Sequence, residues 1–108
     1  MITDEEVGAI LNATEVTAIG LTHSSCSWIA DDAILQLVLN TSDVYPRWRR
    51  LLLEEYTEEL QLTDDLELRG HPANSSFAAF GPDRGLLLHG LESTDQAMRL
   101  LLLAISRL

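Results

Sequence analysis

"AILQLVLN", residues 33–40, is the stretch whose reading decides the fold. Leu35, Leu37 and Leu39 alternate with Gln36, Val38 and Asn40, and a period of two is the signature of a strand. Leucine and alanine also favour helices, so a helix over the same residues is the serious competitor. The alternation predicts a strand. Working back from it, Asp31-Asp32 makes a chain reversal, because aspartate favours turns. Cys26 and Trp28 then share one face of a second strand. "THSS" is a turn before that, and Glu15 to Leu21 forms a first strand with Thr17, Ile19 and Leu21 on one face. Further back, "ITDEEVGAIL" starts a helix. Thr3 and Glu6 are spaced for a capping box, Ile2 and Val7 for a hydrophobic staple, and the helix ends near Asn12.

Working forward, residues 41–62 ("TSDVYPRWRRLLLEEYTEELQL") read as one helix. Ser42 or Asp43 can cap it, and Pro46 is tolerated in a first turn. Trp48, Leu52, Tyr56 and Leu60 recur every four residues on one face, and Arg50 and Glu54 are spaced for an i,i+4 pair. "TDDLELRGHPANS" is a linker with room for a short strand at Leu66 to Leu68. Residues 75–91 ("SSFAAFGPDRGLLLHGL") are a hairpin. Pro82-Asp83 forms its turn, and Gly85 is expected to close that turn in a left-handed conformation. "ESTDQAMRLLLLAISRL" is a last helix, capped by Ser93 or Thr94 and polar only along Asp95, Arg99 and Ser106. The expected order is α-β-β-β-α-β-β-α. That makes one α+β domain over residues 1–108, an antiparallel sheet with helices packed on it.

Leu86, Leu87 and Leu88 make the outgoing hairpin strand apolar on both faces, and Leu100 to Leu103 span most of the last helix's circumference. This exceeds what one small core should need. The economical expectation is a second copy of the chain, since a twofold homodimer is the commonest oligomer.

The 108 residues carry seven arginines, no lysine and seventeen acidic residues, a formal charge of −10. That balance argues against nucleic-acid binding through phosphates. No apolar run approaches a membrane span, and the acidic N-terminus is unlike a signal peptide. A single cysteine, Cys26, points to a reducing compartment, so the expectation is a cytoplasmic protein. Catalytic and metal constellations are not apparent. His23 lies near Ser24, Ser25 and Cys26, but His23 and Cys26 point to opposite sides and no orienting group is placed. Asp31-Asp32 and Asp64-Asp65 lack the spacing of a calcium loop, and His71 and His89 stand alone. Trp28 and Trp48 suit a core or an interface. No cofactor is expected, and no enzyme.

In its element order, acidity and leucine content the chain resembles the small homodimeric, effector-specific chaperones of bacterial type III secretion. "CSWIADDAILQLVLN" looks like their central strands, "SSFAAFGPDRGLLLHGL" like their late hairpin and "STDQAMRLLLLAISRL" like their amphipathic C-terminal helix. The first helix is shorter than in most members. The resemblance implies a dimer that holds the extended N-terminal segment of a secreted effector in apolar grooves, by side-chain capture with strand addition at a sheet edge. It implies Trp48, Leu52, Tyr56 and Leu87 as dimer-interface candidates, and Ile19, Trp28, Leu35 and Leu37 as client-groove candidates. For each, ordinary core is the simpler reading. The competitors are a roadblock-type dynein light chain domain acting as a scaffold or small-GTPase regulator, a reading that gains if residues 33–40 are helical, an acidic immunity protein that binds a toxin, and a small enzyme on a similar sheet.

Overall fold

The structure is a computed structural model and describes residues 2–22, 24–41, 43–63 and 65–107, with Leu21 described by its backbone. The roles expected of His23, Ser42 and Asp64, and the face expected of Leu21, lie outside the described residues. Residues 33–40 form a strand. In chain order the elements are α1 (Asp4–Leu11), β1 (Val16–Leu21), β2 (Ser25–Ala30), β3 (Ala33–Asn40), α2 (Tyr45–Leu53), β4 (Glu58–Leu62), β5 (Glu67–Gly70), β6 (Ser76–Phe80), β7 (Gly85–His89) and α3 (Thr94–Ser106). The class is α+β. One antiparallel sheet runs β1-β2-β3-β7-β6-β5-β4, so β7 joins the first three strands to β6, β5 and β4.

Register follows from the alternation. Cys26, Leu37, Leu88 and Phe77 face one another across four strands, and Leu39, Leu86, Ala79 and Leu68 form the next row. Both rows lie on the inner face, where α1 and α3 cover them in a single cluster. Leu35, Leu86, Leu88 and Leu100 are wholly enclosed there. A buried leucine of this kind contributes about 1.5–3 kcal/mol relative to exposure. α1 starts as its sequence dictates: Thr3 Oγ1 accepts from the Glu6 amide, the Glu6 carboxylate accepts from the Thr3 amide, and Ile2 and Val7 are both buried. Ser93 is the residue that caps α3.

Three expectations are corrected. First, the helix over 41–62 stops at Leu53, and residues 58–62 become β4. The Tyr56 amide still donates to the Leu52 carbonyl, but the chain then reverses. The reason is tertiary. β5 would otherwise leave one side of its backbone unpaired, and pairing Glu58–Leu62 along it satisfies those groups, against local helix propensity. Leu60 therefore packs into the inner cluster from a strand. Among the ion pairs of the described residues Arg50–Glu54 does not occur; Glu54 is already the C-cap.

Second, Gly85 does not take a left-handed conformation; it is the first residue of β7. Glycine is needed there for room. A Cβ would lie 2.7 Å from Trp48 Cζ3 and 2.8 Å from Tyr45 Cε1, so α2 could not sit where it does. The glycine with positive φ is Gly90, at +102°, against the backbone of Ile34.

Third, the apolar surplus at Leu86 to Leu88 and Leu100 to Leu103 is mostly hidden by the chain itself. Leu86 and Leu88 face the inner cluster, while Leu87 points to the outer face and is half-buried beneath α2. α2 is the second cover that the doubly apolar strand requires. In α3, Leu100 and Leu101 are fully enclosed, Leu103 is half-buried, and only Leu102 reaches solvent, at 37%.

Candidate functional site: the uncovered half of the outer sheet face

α2 covers only part of the outer face. Trp48, Leu52 and Leu53 pack with Tyr56, Ala78, Phe80 and Leu87, which places the helix over β6 and β7. Among the described residues, the outer face of β1, β2 and β3 carries no such cover. The register lays Thr17, Ile29 and Ile34 in one row and Ser27 and Gln36 in the next. Ile34 is 65% exposed and Ile29 39%. Ile19, at a bulge where the pairing slips between Ala18 and Gly20, is 52% exposed. Val38 is half-buried beside Leu87. None of these side chains is charged, in a chain whose formal charge is −10.

The border of this surface, towards α2, is a chain of hydroxyls. Tyr56 Oη lies 2.5 Å from Ser76 Oγ, which lies 2.9 Å from His89 Nδ1. His89 and Gln36 are paired across β7 and β3. Tyr56 also meets the His71 ring edge-on, and His71 Nδ1 accepts from the Ala73 amide. Ser76 is 3% exposed. Its hydroxyl ties the segment after α2 to the sheet and presents no face to a ligand. Further along, Arg49 and Arg69 both meet Glu67, at 2.8 Å and 3.0 Å. Tyr45 Oη donates to the Gly81 carbonyl at 2.6 Å, and burial pushes its phenol pKa up. Together these contacts fix α2 on one half of the face and leave the other half open.

At the far end of the open strands, Asp31 holds the entry to β1. It sits at φ 51°, and its carboxylate accepts from the Thr14 and Glu15 amides at 2.8–3.1 Å. Those backbone N–H groups, Glu15's first, hold its pKa below the ordinary aspartate value. A hollow of about 390 Å³ beside the β6–β7 turn is lined by Asp65, Leu66, Gly81, Pro82, Asp83, Arg84 and Ile105. On its rim Asp65 and Asp83 are exposed and Arg84 is half-buried. Among the described residues no three histidine, cysteine, aspartate or glutamate side chains converge as a metal site.

Of the groove candidates, Trp28, Leu35 and Leu37 are enclosed in the inner cluster, at 1%, 0% and 2% exposure, so they offer no surface to a client. Ile19 alone of that set is exposed. The interface candidates Trp48, Leu52, Tyr56 and Leu87 do come together, as this chain's own second core under α2; Tyr56 is buried and the other three are half-buried. The residues that matter on the open face, Ile29 and Ile34, were missed. Their signal is phase: each is apolar on a beat it shares with Ser25, Ser27 and Gln36.

No protein-family profile, no curated protein and no solved structure matches this chain. No helix among the described residues is long and apolar enough to cross a membrane.

Proposed function

We propose that this chain is a protein-binding module of the export-chaperone kind, working as a homodimer that holds an extended segment of a client protein. One observation carries the reading: the outer face of β1, β2 and β3 is uncovered among the described residues, carries exposed isoleucines among uncharged polar side chains, and sits in a strongly acidic chain. A surface of that chemistry suits a segment with apolar residues at alternate positions, which an extended strand presents to one side, and with arginine or lysine between them. The resemblance to effector-specific secretion chaperones suggests the N-terminal segment of a secreted effector as client. The client would lie on the face opposite α1 and α3, not in grooves made by Trp28, Leu35 and Leu37. A roadblock-type scaffold is less well supported, because residues 33–40 form β3 where a helix would have favoured that reading.

The test is titration of the full chain with a synthetic peptide of alternating isoleucine and arginine, followed by amide chemical shifts. The expected result is perturbation at Thr17, Ser27, Ile29, Ile34 and Gln36. Ile29→Glu and Ile34→Glu should each weaken binding about tenfold or more, the loss of one partly buried isoleucine contact. A peptide with aspartate in place of arginine should bind more weakly. No binding, or shifts confined to the α1–α3 side, would overturn the reading.

A further inference from the structure

We propose that two copies of this chain join through their β1 edges, antiparallel about a twofold axis normal to the sheet. The resulting fourteen-stranded sheet has an uncharged outer trough at its centre, where a client segment lies. The proposal deepens the function given above and rests on it for the use of the trough, but the pairing stands on its own observations.

The sheet has two edges, β1 and β4. Both edge pairings carry a register irregularity, so charge is what separates them: on β4, Glu58 and Glu59 stand exposed. β1 reads Val-Thr-Ala-Ile-Gly-Leu and has no charge and no proline. An edge without charges presents unpaired backbone groups to any strand that can align with it. In a chain of charge −10, a surface that meets its own copy must be locally neutral, and β1 with its flanking face meets that condition.

The charges beside the strand favour one arrangement. Glu15 lies immediately before β1 and is exposed. In an antiparallel pair the two Glu15 carboxylates fall at opposite ends of the contact, about 20 Å apart, well beyond the Debye length of about 8 Å in physiological salt. An antiparallel self-pair is isologous, so it closes at two copies. The contact is a single strand pair with its flanking side chains, smaller than a standard interface, so dissociation in the micromolar range is expected.

A twofold normal to the sheet keeps both outer faces on the same side. The three strands left bare in each copy then become six adjacent bare strands, spanning about 24 Å between the outermost pair at ordinary strand spacing. An α2 helix stands to either side of them. Thr17 of each copy borders the join, and Ile29 and Ile34 line the second and third strands out from it on either side. Each copy alone offers half of this floor.

The experiment is sedimentation equilibrium of the full chain from low micromolar to near-millimolar concentration, for the wild type and for the variant Thr17→Lys/Ile19→Lys. Both positions are exposed, so the variant should keep the wild-type near-ultraviolet circular dichroism and melting temperature. The expected result is a wild-type monomer–dimer equilibrium and at least a tenfold weaker one in the variant. A wild type that stays monomeric throughout, or a dimer that the two lysines leave intact, would overturn the pairing. The peptide titration is read separately. A monomer that still binds the peptide sinks the pairing and keeps the binding face, and a dimer that binds none does the reverse.

Discussion

Replacing Gly85 by alanine tests how α2 is seated. The added Cβ would lie 2.7 Å from Trp48 Cζ3, 2.8 Å from Tyr45 Cε1 and 3.0 Å from the Ala79 carbonyl oxygen. Carbon atoms in contact prefer about 3.5–4.0 Å, so both rings must retreat by most of an ångström. Neither can do so freely. Tyr45 is buried and its hydroxyl is bonded to Gly81, and Trp48 packs edge-on against Phe80 at 5.9 Å between centroids. Overpacking of this kind costs about 1–3 kcal/mol. Alanine in a strand recovers about 0.5–1 kcal/mol of the conformational entropy that glycine loses. Taking the middle of both ranges, the net expectation is a loss of about 1 kcal/mol, or about 4–8 °C in Tm for a domain near this size. Urea and thermal unfolding followed by circular dichroism would measure it. Gly85→Ala/Trp48→Leu removes one of the two clashing rings, so the double variant should lose about 1 kcal/mol less than the sum of its single variants. A Gly85→Ala protein as stable as the wild type would refute the close-approach argument. A destabilised one with no coupling to position 48 would refute the assignment of the clash to Trp48.

Tyr45→Phe leaves the Gly81 carbonyl without its buried partner and should cost about 1 kcal/mol, read as a lower urea midpoint at unchanged slope. Leu88→Ala should cost about 2–5 kcal/mol, whereas Ile34→Ala on the open face should change stability by no more than about 0.5 kcal/mol. Equal effects at the two positions would contradict the assignment of inner and outer faces. Glu6 has its pKa lowered from 4.5 to about 2, first by its hydrogen bond with Arg107 and then by the Thr3 amide. A carboxylate with a depressed folded-state pKa stabilises the protein above its unfolded value and loses that contribution as pH falls through the folded one. The stability gap between wild type and Glu6→Gln should therefore be full at neutral pH, narrow below 4.5 and close near 2. A gap that stays constant from pH 7 to 2 would show that the charge of Glu6 plays no part.

The strands from 25 to 40 and the late hairpin were legible because their alternation matches a half-buried sheet, and Thr3 with Glu6 announces its helix by spacing alone. The break after Leu53 was not legible. Glu54 to Leu62 satisfies a helical period, and what overrules it is an unpaired β5 edge that the sequence places several residues later. Gly85 was read as a turn residue because the sequence shows its neighbours along the chain and not Tyr45 and Trp48 above it. The surplus of leucine pointed correctly to two covers for β7, but the second cover is α2. The exposed apolar pair on the open face, Ile29 and Ile34, is set in one row only by the register between β2 and β3.

Hydrogen–deuterium exchange at the two sheet edges, in dilute and in concentrated protein, tests the central claim most directly. The outward amides of β1 should exchange fast when dilute and slow as concentration rises, while those of β4 stay fast throughout. Exchange at β1 that is fast at every concentration and indistinguishable from β4 would contradict the claim that this edge and the bare face beside it await a second chain.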